Sequence, residues 1–246
     1  MNRELKSAEL FLALGLVTFI GVSSNPQVNA EEINELPVHT HLLSQDGEGG
    51  IELSPGEQAN ANFQDKLSGA KLLSALRQGG HVIYFRHAQT EKDYADQVTA
   101  DVNNCATQRV LSEIGWQQAR TIGAAFEDKS IPVGKVISSQ YCRAWKTADL
   151  AFGKYDKNPA LNFLPFEDYT EEQVAQMKAK VMPLLTAVPE TRSNTVIVGH
   201  DDIFESATGI YPDPQGIAYV LKPDGNGNFE IIANMLPEEW SHLGSK

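Results

Sequence analysis

Short unbroken apolar runs alternate along this chain with longer stretches in which apolar residues recur at helical spacing. Val82-Ile83-Tyr84-Phe85, Val136-Ile137 and Thr195-Val196-Ile197-Val198 have the pattern of strands buried on both faces. Between these runs the period changes. Over 65–77, Leu67, Leu72, Leu73 and Leu76 share one helical face, and Gly79-Gly80 ends the segment. Ser112 is placed to cap a helix whose Gly115, Ala119, Ile122 and Phe126 fall on one face, with Ile131-Pro132 as its stop. The small residues in that set would let the helix approach the sheet closely. The spacing predicts further helices over 143–152, closed by Gly153, and from Thr170 through Leu184, with a kink at Pro183. Ile217 to Leu221 and Phe229 to Ile232 flank Pro223-Asp224-Gly225-Asn226-Gly227, a strong turn signal, and read as a hairpin. Alternating strands and helices predict an α/β domain: a mostly parallel central sheet, helices on both faces and a C-terminal β-hairpin.

The pattern also divides the chain. Leu10 to Val22 is apolar but shorter than the roughly 20 residues a bilayer span needs. Arg3 and Lys6 precede it, and Val28-Asn29-Ala30 presents small residues for cleavage, so residues 1–30 read as a secretory signal peptide. That predicts an exported, periplasmic or secreted protein starting at Glu31. Residues 31–64 are rich in Asn, Gly, Glu and Ser without a sustained period, and read as a flexible lead-in. His39 and His41 lie there without the cysteines or carboxylates of a metal site. A single domain is expected over 65–246.

Charge narrows the partners. The formal net charge is −12 over 246 residues. Such a surface repels nucleic acid and anionic membrane. An anionic substrate would need a locally basic pocket. The two cysteines, Cys105 and Cys142, are read as one disulfide in an oxidising compartment, two free buried thiols being the other reading. Closing that loop would stabilise the fold by roughly 3–4 kcal/mol in the chain-entropy model.

Each predicted strand ends in polar groups. The first ends in Arg86-His87, the second in Ser138-Ser139 with Arg143 one helical turn on, the third in His200-Asp201. If the strands are parallel, these groups converge on one pocket, where open α/β sheets bind ligands. Two arginines and two histidines suit a phosphate dianion: guanidinium forks bind its oxygens, and neutral imidazole is a competent nucleophile. A neighbouring carboxyl, Asp201, is placed to protonate a leaving alkoxide. The 88–109 loop is long enough to read as functional. In it Gln108 and Arg109, like Tyr141 outside it, read equally as pocket-lining or as structural.

These blocks resemble the histidine phosphatase superfamily, also called phosphoglycerate mutase-like. Arg86-His87-Ala88-Gln89-Thr90 is similar to its Arg-His-Gly signature. Leu111-Ser112-Glu113-Ile114-Gly115 through Ala119 is similar to its Leu-Thr/Ser-x-x-Gly-x-x-Gln-Ala helix start. Ser138 through Ala148 is similar to its Ser-Ser-x-x-x-Arg-Ala-x-x-Thr-Ala block, and Val196 through His200 to the strand delivering its second histidine. The resemblance implies that His87 takes the phosphoryl group, that Arg86, Arg143 and His200 hold its oxygens, and that Thr90 supports the pocket. It implies a phosphomonoesterase, here an exported bacterial one, acting on a small phosphorylated substrate with no metal or organic cofactor. The general acid is Asp201 by analogy with the His-Asp pair of one branch. Glu167 is the candidate from the other branch, and Asp202 a third. Ala88 departs from the usual glycine, which matters only if the backbone there needs positive φ. A phosphoglycerate mutase-like phosphotransferase and a non-catalytic anion- or partner-binding member remain the alternatives.

Overall fold

The computed structural model describes residues 52–93, 95–97, 100–164 and 168–245. The expected export signal, His39, His41 and Glu167 lie outside these residues. The three apolar runs form β1 (Val82–Arg86), β2 (Val133–Ser138) and β4 (Asn194–Gly199). With β3 (Asp156–Lys157), β5 (Ala218–Pro223) and β6 (Phe229–Met235) they make one sheet in the order β3-β2-β4-β1-β5-β6. β3, β2, β4 and β1 pair in parallel, and β5 runs antiparallel to both β1 and β6. Only the first strand of the terminal hairpin therefore opposes the common direction.

Period-two alternation sorts β1 between two cores. Ile83 and Phe85 pack with Val196 and Val198 on one face, and Val82 and Tyr84 with Ile197 on the other. None of the four β1 residues is more than 1% exposed, which explains the unbroken apolar run. Helices cover both faces. α2 (Gly69–Gln78), α3 (Glu113–Asp128), α4 (Cys142–Phe152) and the short α7 (Glu239–His242) meet the first core. α5 (Glu171–Leu185) and α6 (Asp201–Thr208) meet the second. Buried Asn194 stitches the far end of the sheet: its Nδ2 donates to Leu76 O and Pro132 O, and its Oδ1 accepts from His81 N.

The expected caps form. Ser112 Oγ accepts from Gly115 N, and Thr170 makes a reciprocal capping box with Gln173. The small residues of α3 serve a different contact from the one expected. A Cβ at Gly115 would lie 2.0 Å from Gln89 O, so this glycine admits the loop after β1 rather than the sheet. The lead-in also differs from its reading as a loose arm as far as Gln64. Pro55–Ala61 forms α1, closed by a Ser54–Glu57 capping box. The signal was present: Ser54-Pro55-Gly56-Glu57 has the Ser-x-x-Glu spacing with proline at the first helical position. The helix is seven residues long and polar, with too few apolar positions to show a period.

Candidate functional site

Register alone brings the strand ends together. Arg86 lies opposite Gly199, and Ser138 opposite Val198. The ladder continues one residue past each end: His87 N donates to Gly199 O and Ser139 N to Val198 O, both at 3.0 Å. His87 and His200 thereby come within 5.4 Å between ring centroids, both almost wholly buried. Arg143 reaches them from the first turn of α4.

Hydrogen bonds assign the imidazole protons. His87 Nδ1 lies 2.9 Å from Ala88 O, which can only accept, so Nδ1 carries hydrogen. Nε2 then holds the lone pair and accepts from Arg143 Nε at 3.1 Å. At the second histidine, Ser139 Oγ gives its proton to Asn162 Oδ1 and accepts from Tyr141 N. His200 Nε2 therefore donates to Ser139 Oγ, at 2.9 Å. Its Nδ1 is buried and has no hydrogen-bond partner among the described residues, and the same holds for Arg86 Nε. Burial, reinforced by Arg143, His200 and Arg86, holds His87 well below the ordinary histidine value of 6.5. Burial, then Arg143, Arg109 and Arg86, do the same to His200. Both rings are neutral at pH 7, so His87 Nε2 is unprotonated and can act as a nucleophile once Arg143 Nε turns from it to the phosphate.

Arg86 is gripped by groups the sequence reading missed. Its Nη1 donates to Pro212 O and Asp213 Oδ1, both at 2.9 Å. Its Nη2 pairs with Asp201 Oδ2 and reaches Tyr211 Oη at 3.4 Å, and the Tyr211 ring lies 5.1 Å from the guanidinium carbon. Tyr211 Oη donates to Asp201 Oδ2 at 2.8 Å. Arg143 Nη1 likewise pairs with Asp96 Oδ1 at 2.9 Å, an oxygen that also accepts Arg109 N. Asp96, Tyr211 and Asp213 sit in irregular segments, where no period marks them. The arginines they hold lie 47 to 127 positions away.

Arg86, His87, Arg143, His200 and Asp201 thus share one site. Thr90 stands at its edge, where its N and Oγ1 both donate to Gln215 Oε1. Beside it Arg86, Lys92 and Arg109, together with the carboxylates of Glu91 and Asp213, line a cavity of about 330 Å³. Gln108 is structural: its side chain accepts from Cys142 N and donates to Asp101 O. Tyr141 stacks on Phe163 at 4.4 Å, and Arg143 lies against both rings. Asp202 faces a separate cavity of about 380 Å³ beside Tyr169 and Glu205. Burial, with the charges of Asp201 and Glu205, pushes its carboxyl up to about 6.

Two further expectations meet the structure here. Cys105 and Cys142 are bonded, with Cα atoms 5.6 Å apart, tying the long loop to the residue before Arg143. Ala88 avoids the left-handed region, since the non-glycine residues with positive φ among those described are Ser130 and Arg192. It is fully buried, and its N donates to Thr147 Oγ1 at 3.0 Å.

Residues 82–163 match the family model of the histidine phosphatase superfamily (branch 1). Among solved structures, the protein histidine phosphatase SixA complexed with tungstate aligns at 16% identity and a TM-score of 0.48, covering 65% of this chain and 98% of that one. The putative phosphohistidine phosphatase SixA from Agrobacterium tumefaciens aligns at 19% and 0.41, covering 64% and 99%. YhfR from Bacillus stearothermophilus aligns at 17% and 0.41, covering 61% and 94%. No curated protein sequence matches significantly.

Proposed function

We propose that this chain is an exported phosphomonoesterase of the histidine phosphatase superfamily, working through a phosphohistidine on His87. One observation carries the reading. A buried, neutral imidazole, its unprotonated Nε2 turned to Arg143 Nε, lies among two arginines and a second histidine. One buried donor there, Arg86 Nε, has no partner among the described residues. Leaving it so costs about 1–3 kcal/mol, and the oxygen of a bound anion would satisfy it. The family match over 82–163 supports the same reading.

In this mechanism His87 Nε2 attacks phosphorus and the bond to the leaving oxygen breaks. Arg86 and Arg143 hold the phosphoryl oxygens as charge develops, and His200 Nδ1 accepts from a protonated phosphoryl oxygen. Asp201, paired with Arg86, gives the departing alkoxide its proton. Water then cleaves the N–P bond and gives its proton to the Asp201 carboxylate, releasing phosphate and restoring neutral His87. Thr90 supports the loop at the pocket edge. The substrate is a small phosphorylated molecule. Export rests on the apolar stretch Leu10 to Val22, the small residues before Glu31 and the Cys105–Cys142 bridge. No described helix is long and apolar enough to cross a membrane.

The test is hydrolysis of an aryl phosphate by the purified mature chain, with and without chelator. His87→Ala should abolish both turnover and acid-labile labelling by substrate phosphate, a loss of at least about 10⁴-fold. Asp201→Asn should slow poor leaving groups more than good ones. If Asp202→Asn does this and Asp201→Asn does not, the acid is reassigned. Wild-type turnover absent across pH 4–8 would favour an anion-binding module, and chelator-sensitive turnover would defeat the histidine mechanism.

A further inference from the structure

The helix α1 lies outside the family match, yet its contacts lead to the centre of the site. Its outer end closes on itself through the Ser54–Glu57 box. Its inner face meets the stretch that grips Arg86. Tyr211 N donates to Gly56 O at 3.0 Å, and Asn60 Nδ2 donates to Asp213 O at 2.8 Å. Asn60 Oδ1 accepts from Tyr219 Oη on β5, and Phe63 meets the Tyr219 ring edge-on at 5.3 Å, so the helix is itself anchored to the sheet. Gly56 packs closely here: a Cβ would lie 1.9 Å from Glu205 Oε1, the end of a flexible side chain, and 3.1 Å from Tyr211 Cβ.

On its other side the same stretch makes the phosphate site. Pro212 O and Asp213 hold Arg86 Nη1, Tyr211 covers the guanidinium, and the Tyr211 hydroxyl turns Asp201. Residues 211–213 are irregular, so no ladder fixes them. Two hydrogen bonds from α1 fix their backbone instead.

We propose that α1 is a positioning element for catalysis, with Asn60 and Gly56 setting the place of Arg86 and Asp201 through Tyr211–Asp213. This rests on the phosphatase reading. Asn60 touches no reacting atom. Its donor locates Asp213 O, and the gripped guanidinium follows. Small displacements of a group that binds a transferring phosphoryl are costly in rate.

The experiment uses the full mature chain. Asn60→Ala removes both side-chain bonds, and Asn60→Asp keeps an acceptor for Tyr219 but has no donor for Asp213 O. Both should lower kcat/KM for an aryl phosphate roughly tenfold and raise the dissociation constant of inorganic phosphate several-fold. In an Arg86→Lys background, where the fork to Pro212 and Asp213 is already lost, Asn60→Ala should add less than twofold. A structural role alone would lower the melting temperature without this coupling. Asn60 variants that fold and keep kcat/KM and phosphate affinity within twofold overturn the inference while leaving an active wild type to support the enzyme. If the wild type turns nothing over, the phosphatase reading fails and phosphate affinity, by calorimetry, still decides the role of Asn60. Equal losses in the Arg86→Lys background also overturn it.

Discussion

Two walls of the proposed phosphate pocket are built by opposite means. One is made of strand ends: His87, Ser139 and His200 sit one residue past β1, β2 and β4, the first two held by main-chain bonds and the third by the Tyr84 hydroxyl. Their side chains are buried and their neighbours are fixed by register. The other wall is made of loops. Asp96 and Arg109 come from the stretch after β1, and Tyr211, Asp213 and Gln215 from the stretch before β5. Here contacts run between charged or polar side chains, and Asp213 is 60% exposed. The rigid wall places the nucleophile and the second histidine. The loop wall supplies carboxylates that hold the arginines in place, and it can vary without moving the nucleophile.

The sharpest way to break this division is at Arg143, which belongs to both walls by touching His87 and Asp96. Arg143→Ala should lower kcat/KM for an aryl phosphate by about 10²–10³-fold, the scale for losing a preorganised charge-stabilising donor. Next comes the bridge. Reducing Cys105–Cys142 frees the loop wall alone, so stability should fall by roughly 3–4 kcal/mol in a denaturant titration and turnover should drop with it. Reduction that changes neither would mean the loop is held by other contacts.

The rigid wall has its own signature in pH. Both buried imidazoles are held well below the unfolded value of 6.5. The unfolded chain therefore binds more protons, and stability rises with pH across that interval. The contribution is fully present above about 6.5 and is lost as pH falls towards the folded-state values. Urea midpoints at pH 7 and pH 5 should show the decline, and the nucleophile's acid limb of kcat/KM should lie well under pH 6.5. The smallest expected effect is Asp96→Asn. Taking the charge off Arg143's partner removes a competitor for phosphate, so KM should fall roughly two- to fivefold, the scale of a partly exposed ion pair.

The sequence exposes the rigid wall far better than the loop wall, for a physical reason. Val82–Phe85 and Thr195–Val198 are apolar because both faces of the sheet are covered, and whatever follows them lands at the sheet's edge. Arg86-His87 and His200-Asp201 could be placed from that rule, and Arg143 from the helix after Ser138-Ser139. Asp201 is visible as a neighbour of His200, but its pairing with Arg86 depends on two strands meeting in register. Asp96, Tyr211 and Asp213 follow no period, since each earns its place by a tertiary contact. The helix α1 falls between: its capping box is plain in Ser54–Glu57, but its docking depends on the fit of Gly56 against Glu205 and Tyr211.

Tyr84 carries a consequence for motion. Its hydroxyl donates to His200 O at 2.7 Å and accepts from His200 N at 3.0 Å, with the ring wholly buried in the central strand. Gly199 makes room for it, since a Cβ there would lie 2.2 Å from the phenol oxygen. The second histidine is thereby fastened to a fully buried strand, where slow opening is expected, rather than only to the eight-residue helix it begins. In hydrogen-exchange terms, the His200 amide should behave as a core amide and outlast those of α6. The floor of the pocket would then stay assembled through local openings that unravel its rim.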